Sequence, residues 1–133
     1  MVFNERNEPM SLKVWEINGQ KLELDLSDAD IMEKYEKAFE IMTADEKDIP
    51  KDGKASERIR SACEMFRKLF ANLFGNDAAD KIFSGIPTAL SKYEEIYMSF
   101  LDFVQIQIAD EAKKRNDRLA KYIPNRQIRR KQK

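Results

Sequence analysis

The stretch PTALSKYEEIYMSFLDFVQIQIADEAKKRNDRLAKY, Pro87–Tyr122, decides the fold. Leu90, Tyr93, Tyr97, Phe100, Leu101, Val104 and Ile108 trace one stripe along it, the pattern of a single face of an α-helix. Pro87 suits a first helical turn, where its missing N–H forfeits no bond. The reading is one long helix over about 87–122, stopped by Pro124. Ile96, Met98, Phe103 and Ile106 lie off the main stripe. A helix apolar on more than one side has more than one neighbour. This helix is therefore the centre of the domain or part of a contact between copies. Beyond Ile108 the residues turn polar while the helical pattern continues.

Toward the N-terminus, Gly85 closes a short helix over 77–84 that buries Ile82 and Phe83, with Asn76 or Asp77 as its cap. Ile59, Ala62, Cys63, Phe66, Leu69, Phe70, Leu73 and Phe74 form the stripe of a helix over 56–74, and Gly75 is a natural stop. Ile31, Met32, Tyr35, Ala38, Phe39 and Met42 do the same over 28–43. Ser27 reads as the N-cap of that helix, with Asp28 and Asp30 on the positive end of its dipole. Asp45–Lys54, DEKDIPKDGK, holds Pro50 and Gly53 and reads as an exposed linker. Over 12–26, alternating residues flank Asn18-Gly19, the strongest short cue for a β-hairpin because both turn positions take positive φ. Leu22, Leu24 and Leu26 share its inner face, and Trp15 falls on the opposite side from Leu12 and Val14. The expected fold class is α+β, mainly α-helical: a hairpin, then about four helices, the last one long. Residues 1–10 read as a flexible N-terminus, 11–123 as one domain and 124–133 as a basic tail.

Composition narrows the chemistry. The 133 residues include no histidine and one cysteine, Cys63. That excludes a Ser-His-Asp or Cys-His relay, a histidine metal ligand and an intramolecular disulfide. Cys63 lies on an apolar stripe and reads as a small hydrophobe. The acidic pairs Asp28/Asp30, Asp45 with Asp48 or Asp52, and Glu94/Glu95 lack metal-loop spacing and read as caps and solvated faces. There is no GxGxxG, GxxxxGK[ST], CxxC or HExxH. The expectation is no enzyme, no cofactor and no metal. No apolar run reaches the ~18–20 residues of a membrane span and none resembles a signal peptide, so a cytoplasmic setting is expected.

The zero net charge hides an asymmetry. From Lys113 to Lys133 there are ten basic residues and one acid, Asp117, a net +9; residues 1–112 carry −9. Arg126, Arg129 and Arg130 sit in the last stretch, YIPNRQIRRKQK. Such a run can be a solvated tail, a contact for an acidic protein surface, or a phosphate-neutralising segment for nucleic acid. Trp15 and Ile17 on the outer face of the hairpin, and Ile96, Phe103 and Ile106 on the second face of the long helix, are candidate protein contacts.

The layout resembles the tail assembly chaperone-like proteins of long-tailed phages and prophages of Firmicutes. The similarity spans about Val14 to Lys131 and is carried by DADIMEKYEKA (Asp28–Ala38), FGNDAADKIF (Phe74–Phe83) and a terminal motif of Tyr122, Pro124, Asn125, Arg126, Arg129 and Arg130. The resemblance implies a non-catalytic assembly factor in the bacterial host. It would bind the tape measure protein and tail tube subunits, and associate with itself. The rival expectation is a nucleic-acid-binding phage protein using residues 113–133.

Overall fold

The computed structural model describes residues 12–122. Its elements run β1 (Val14–Ile17), β2 (Gln20–Glu23), α1 (Ala29–Lys47), α2 (Ala55–Phe74), α3 (Asn76–Ile82) and α4 (Leu90–Tyr122). This is the hairpin followed by four helices, the last one long. The basic tail 124–133, with Arg126, Arg129 and Arg130, and residues 1–10 lie outside the described residues.

Asn18 and Gly19 both take positive φ, 48° and 76°, the turn that matches the twist of two antiparallel strands. A two-residue turn fixes the register: Ile17 pairs with Gln20, Trp15 with Leu22 and Val14 with Glu23. Directly paired residues share a face, so Trp15 joins the leucine face. A bare hairpin is marginal in water, and this one is anchored by that face. The Trp15 ring stacks on Phe70 at 5.3 Å and meets Phe100 edge-on at 5.2 Å. Its indole N–H donates to Ser99 Oγ at 3.1 Å.

The core forms where α2 and α4 run side by side in the same direction, Phe66 against Tyr97 and Phe70 against Phe100. α1 crosses α4 in the opposite sense, with Tyr35 near Phe100 and Phe39 near Tyr97. α3 buries Ala79 and Ile82, and Phe83 after it stacks on Tyr93 at 4.2 Å.

Three local expectations are corrected. The N-cap of α1 is Asp28, whose carboxylate accepts from the backbone N–H groups of Asp30 and Ile31. Ser27 instead donates its hydroxyl to Asp25 Oδ1 at 2.6 Å. α1 continues to Lys47, past the expected end near 43, and α4 starts at Leu90, with Pro87 in the preceding turn. Ile49, just beyond the extended α1, packs on the core, which local polarity alone does not signal.

Candidate protein-binding surface

Gln107 organises the junction between the hairpin and α4. It sits on the buried line Tyr93, Ile96, Phe100, Val104 of α4 and is 1% exposed. Its Oε1 accepts from Leu26 N–H at 2.6 Å, and its Nε2 donates to the carbonyls of Leu12 and Leu24, both at 2.8 Å. One side-chain amide thereby satisfies three backbone groups that have left the β-ladder. A buried backbone polar group without a partner is costly, so Gln107 fixes where both arms of the hairpin meet α4.

A second clasp lies at the other end of the hairpin. The Asn18 amide donates to the carbonyls of Lys81, Ile82 and Ser84 at 3.3, 3.0 and 2.9 Å. Lys81 and Ile82 end α3, where a helix leaves its last carbonyls without α-helical partners, and Ser84 lies in the turn just after it. Asn18 thus serves as turn residue and as cap for a distant helix.

Past Gln107, α4 leaves the body. From Lys113 to Tyr122 every residue is exposed. At 1.5 Å per residue, Ile108–Tyr122 extends about 22 Å. It carries Ile108, Leu119 and Tyr122 at 47%, 53% and 82% exposure. Lys114, Arg118 and Lys121 recur along one side of it, with Lys114 bonded to Asp110 at 3.0 Å and Lys113 to Asp117 at 3.1 Å. Acidic residues crowd the level at which this segment departs: Asp25, Asp28 and Asp30 at the start of α1, and Asp110 and Glu111 on α4 itself. The Asp25 carboxyl is lowered in pKa by the Ser27 hydroxyl and further by Lys13, whose Nζ lies 3.3 Å away.

The structure separates the expected contact residues. Trp15 is 3% exposed and Ile96 is 7% exposed, so neither is a surface contact. Trp15 is turned inward by the two-residue register, and Ile96 lies on the line that α4 presents to the body. Ile17 and Phe103 are half-buried and packed against the core. Ile106 points out, at 57% exposure. Sequence reasoning missed Gln107 and the second role of Asn18, left Leu119 out, and used Tyr122 only as part of the terminal motif. The spacing of Gln107 from Tyr93, Ile96, Phe100 and Val104 was the available signal.

The remaining candidates lead elsewhere. Cys63 is buried, and its thiol is pushed up by burial and then by the charge of Glu94, the reverse of what activates a nucleophilic thiol. An open groove of about 380 Å³ between the end of α1 and α2 holds Asp45, Arg60, Glu64 and Lys68. Lys68 and Asp45 neutralise each other there at 3.2 Å. Arg67 reaches across to Asp80, which with Glu64 holds its guanidinium charged. Among the described residues no group of three or more Asp, Glu or Cys is placed to hold a metal ion. None of their helices is long and apolar enough to cross a membrane. The surface that stands out is thus the projecting part of α4 with its acidic base.

Comparison with curated proteins finds no match, and comparison with solved structures finds none. The model of a family of unknown function, DUF6673, matches residues 18–133, which covers the Asn18 clasp, all four helices and the basic segment, and the chain belongs to that family.

Proposed function

We propose that this protein is a non-catalytic assembly factor of phage tails, working in the cytoplasm of the bacterial host. In this role it binds the tape measure protein, recruits tail tube subunits and associates with itself. The observation that carries the reading is the projecting part of α4, a helix that leaves the body with Ile108, Leu119 and Tyr122 uncovered by any described element. A long helical partner such as a tape measure protein offers apolar stripes that need temporary cover, and an exposed amphipathic helix is suited to give it. The resemblance of Asp28–Ala38, Phe74–Phe83 and the terminal motif supplies the phage context. Co-expression with a tape measure protein of a Firmicutes long-tailed phage, followed by affinity capture, tests the role. Capture of the tape measure protein through a mild-salt wash is expected; its absence from the captured fraction overturns the proposal.

A second reading has its own observation. Lys114, Arg118 and Lys121 fall on one side of α4, and the sequence after Tyr122 holds five further basic residues. Such a line can follow a phosphate backbone, with affinity falling steeply as salt rises. A gel-shift titration at several salt concentrations separates the two. Salt-sensitive retardation of nucleic acid without tape measure capture favours this second reading.

A further inference from the structure

We propose that β2 pairs edge to edge with β2 of a second copy of this chain, antiparallel, with Leu22 opposite Leu22. The pairing deepens the self-association named in the proposed function and rests on that reading for its purpose, while its geometry comes from the hairpin alone.

The sheet has two strands, so each keeps an outer edge. β1 is the strand that runs along α4, which leaves β2 as the outer one. Leu24 N–H donates to the Lys13 carbonyl at 2.8 Å. Bonded and unbonded pairs alternate along an antiparallel ladder. Trp15 and Leu22 are therefore a bonded pair, and the backbone groups of Lys21 and Glu23 face away from β1. Among the described residues, no backbone group of another element bonds to Lys21 or Glu23. An edge of this kind is a template for a further strand.

The charge order along β2 selects the occupant. When β2 meets its own reverse with Leu22 opposite Leu22, Lys21 of each copy falls opposite Glu23 of the other. The two-fold axis makes each contact occur twice. In this register the outward N–H and C=O of Lys21 exchange bonds with those of Glu23. A slip of one residue sets these outward groups against ones already spent on the partner hairpin's own ladder. A slip of two sets Lys21 against Lys21 or Glu23 against Glu23, which like-charge repulsion disfavours. In the chosen register like charges meet only diagonally, at about 7–8 Å, against about 5 Å for the opposed pairs. Glu16 already holds Lys21 from the β1 side at 3.7 Å, so charges alternate across the joined sheet. Glu23 stands opposite Val14 in its own hairpin, and the second copy supplies the cation that it lacks there. The outward residues of β1, Val14 and Glu16, include no cation, so that edge does not complement itself. On the inner face the half-buried Leu22 of each copy gains the other as an apolar neighbour.

Sedimentation equilibrium of the full 133-residue chain, from micromolar to millimolar concentration, tests this. A strand of 4 residues is a short contact, so a weak, concentration-dependent dimer is expected. Lys21→Glu and Glu23→Lys should each weaken it about tenfold, and the two together should restore it. Glu23→Pro removes an N–H that the single hairpin leaves unused, and should give a monomer with a nearly unchanged thermal melt. In a Cys63→Ser background, Leu22→Cys should oxidise to a linked dimer. Lys21→Cys should not, because its two copies stand beyond the roughly 7 Å that a disulfide can bridge. A chain that stays monomeric throughout, or assemblies that grow past the dimer, would overturn the pairing. So would a dimer indifferent to Glu23→Pro, single charge reversals that the double variant does not rescue, or linkage at 21 in preference to 22. A monomer that still captures the tape measure protein overturns the pairing and keeps the function. A dimer that captures none does the opposite.

Discussion

Gln107 and Trp15 show how much rests on single side chains. Three backbone groups, Leu26 N–H and the carbonyls of Leu12 and Leu24, have Gln107 as their partner. Gln107→Leu keeps the volume and removes all three bonds, which leaves buried polar groups unpaired. The expected loss is about 2–4 kcal/mol in urea denaturation, since each orphaned group costs about 1–3 kcal/mol and part of that is relieved by relaxation. Gln107→Glu separates the two halves of the role. Its carboxylate can still accept from Leu26 but confronts two carbonyls, so the variant should be less stable than wild type at neutral pH. It should recover part of the difference in acid, where a protonated carboxyl donates again; a variant whose deficit is the same at both pH values would contradict this. Trp15 is the apolar counterpart. Trp15→Ala vacates the space between Phe70, Phe74 and Phe100 and should cost about 3–5 kcal/mol. Ser99→Ala, which removes only the partner of the indole N–H, should cost about 1 kcal/mol.

At the scale of elements, the helices were legible because their stripes repeat over many turns, and the hairpin because Asn18-Gly19 admits few other conformations. Two errors in the candidate surface have separate physical origins. The outward placement of Trp15 followed from treating Leu12 and Val14 as the inner residues of β1. The two-residue turn already sets Trp15 opposite Leu22, so consistent use of the register turns the tryptophan inward. Ile96 reads as a contact because the main stripe is drawn through Tyr97, Leu101 and Ile108, whereas the buried line runs through Ile96 to a glutamine, and a polar residue there blurs the apolar pattern. Its reason lies in backbone groups 81 to 95 residues away in sequence, which no local pattern shows. The cap of α1 was misplaced by one residue, and this yields a test. Asp28→Ala should destabilise the fold by about 1 kcal/mol, because Asp28 accepts from two first-turn N–H groups. Ser27→Ala should cost less, since its hydroxyl serves only Asp25. Equal losses for the two, read from paired thermal melts, would return the cap to Ser27.

For the molecule as a whole, the charge asymmetry was readable by counting along the chain, but its spatial meaning required knowing that α4 outruns the body. Whole-molecule electrostatics also sets the pH response. There is no histidine, so no imidazole titrates between about pH 5 and pH 8. At the alkaline end, burial raises Tyr35, Tyr93 and Tyr97 above their ordinary 10.0. Burial likewise raises Cys63 above its ordinary 9.0, with Glu94 adding to the effect. Each of these acids has a folded pKa above its unfolded value. Each therefore favours the fold fully below the unfolded value and loses that contribution as pH rises through the folded one. Asp25 acts in the opposite sense. Its folded pKa is lowered from 3.8, chiefly by the Ser27 hydroxyl, so its contribution is present above that value and disappears as acid lowers the pH through the folded one. The side chain is half-buried, and solvent screening still keeps the effect small. The melting temperature should accordingly be level between about pH 6 and pH 8 and fall above about pH 9. In a Tyr122→Phe variant, which removes the exposed phenol, phenolate absorbance should rise together with the loss of helical ellipticity, because Tyr35, Tyr93 and Tyr97 all line the core that α4 shares with α1 and α2. A melting temperature that drops between pH 6 and pH 8, or phenolate formation well before helix loss, would show that the core is looser around α4 than the ring distances of 4.2 to 6.4 Å at these tyrosines require.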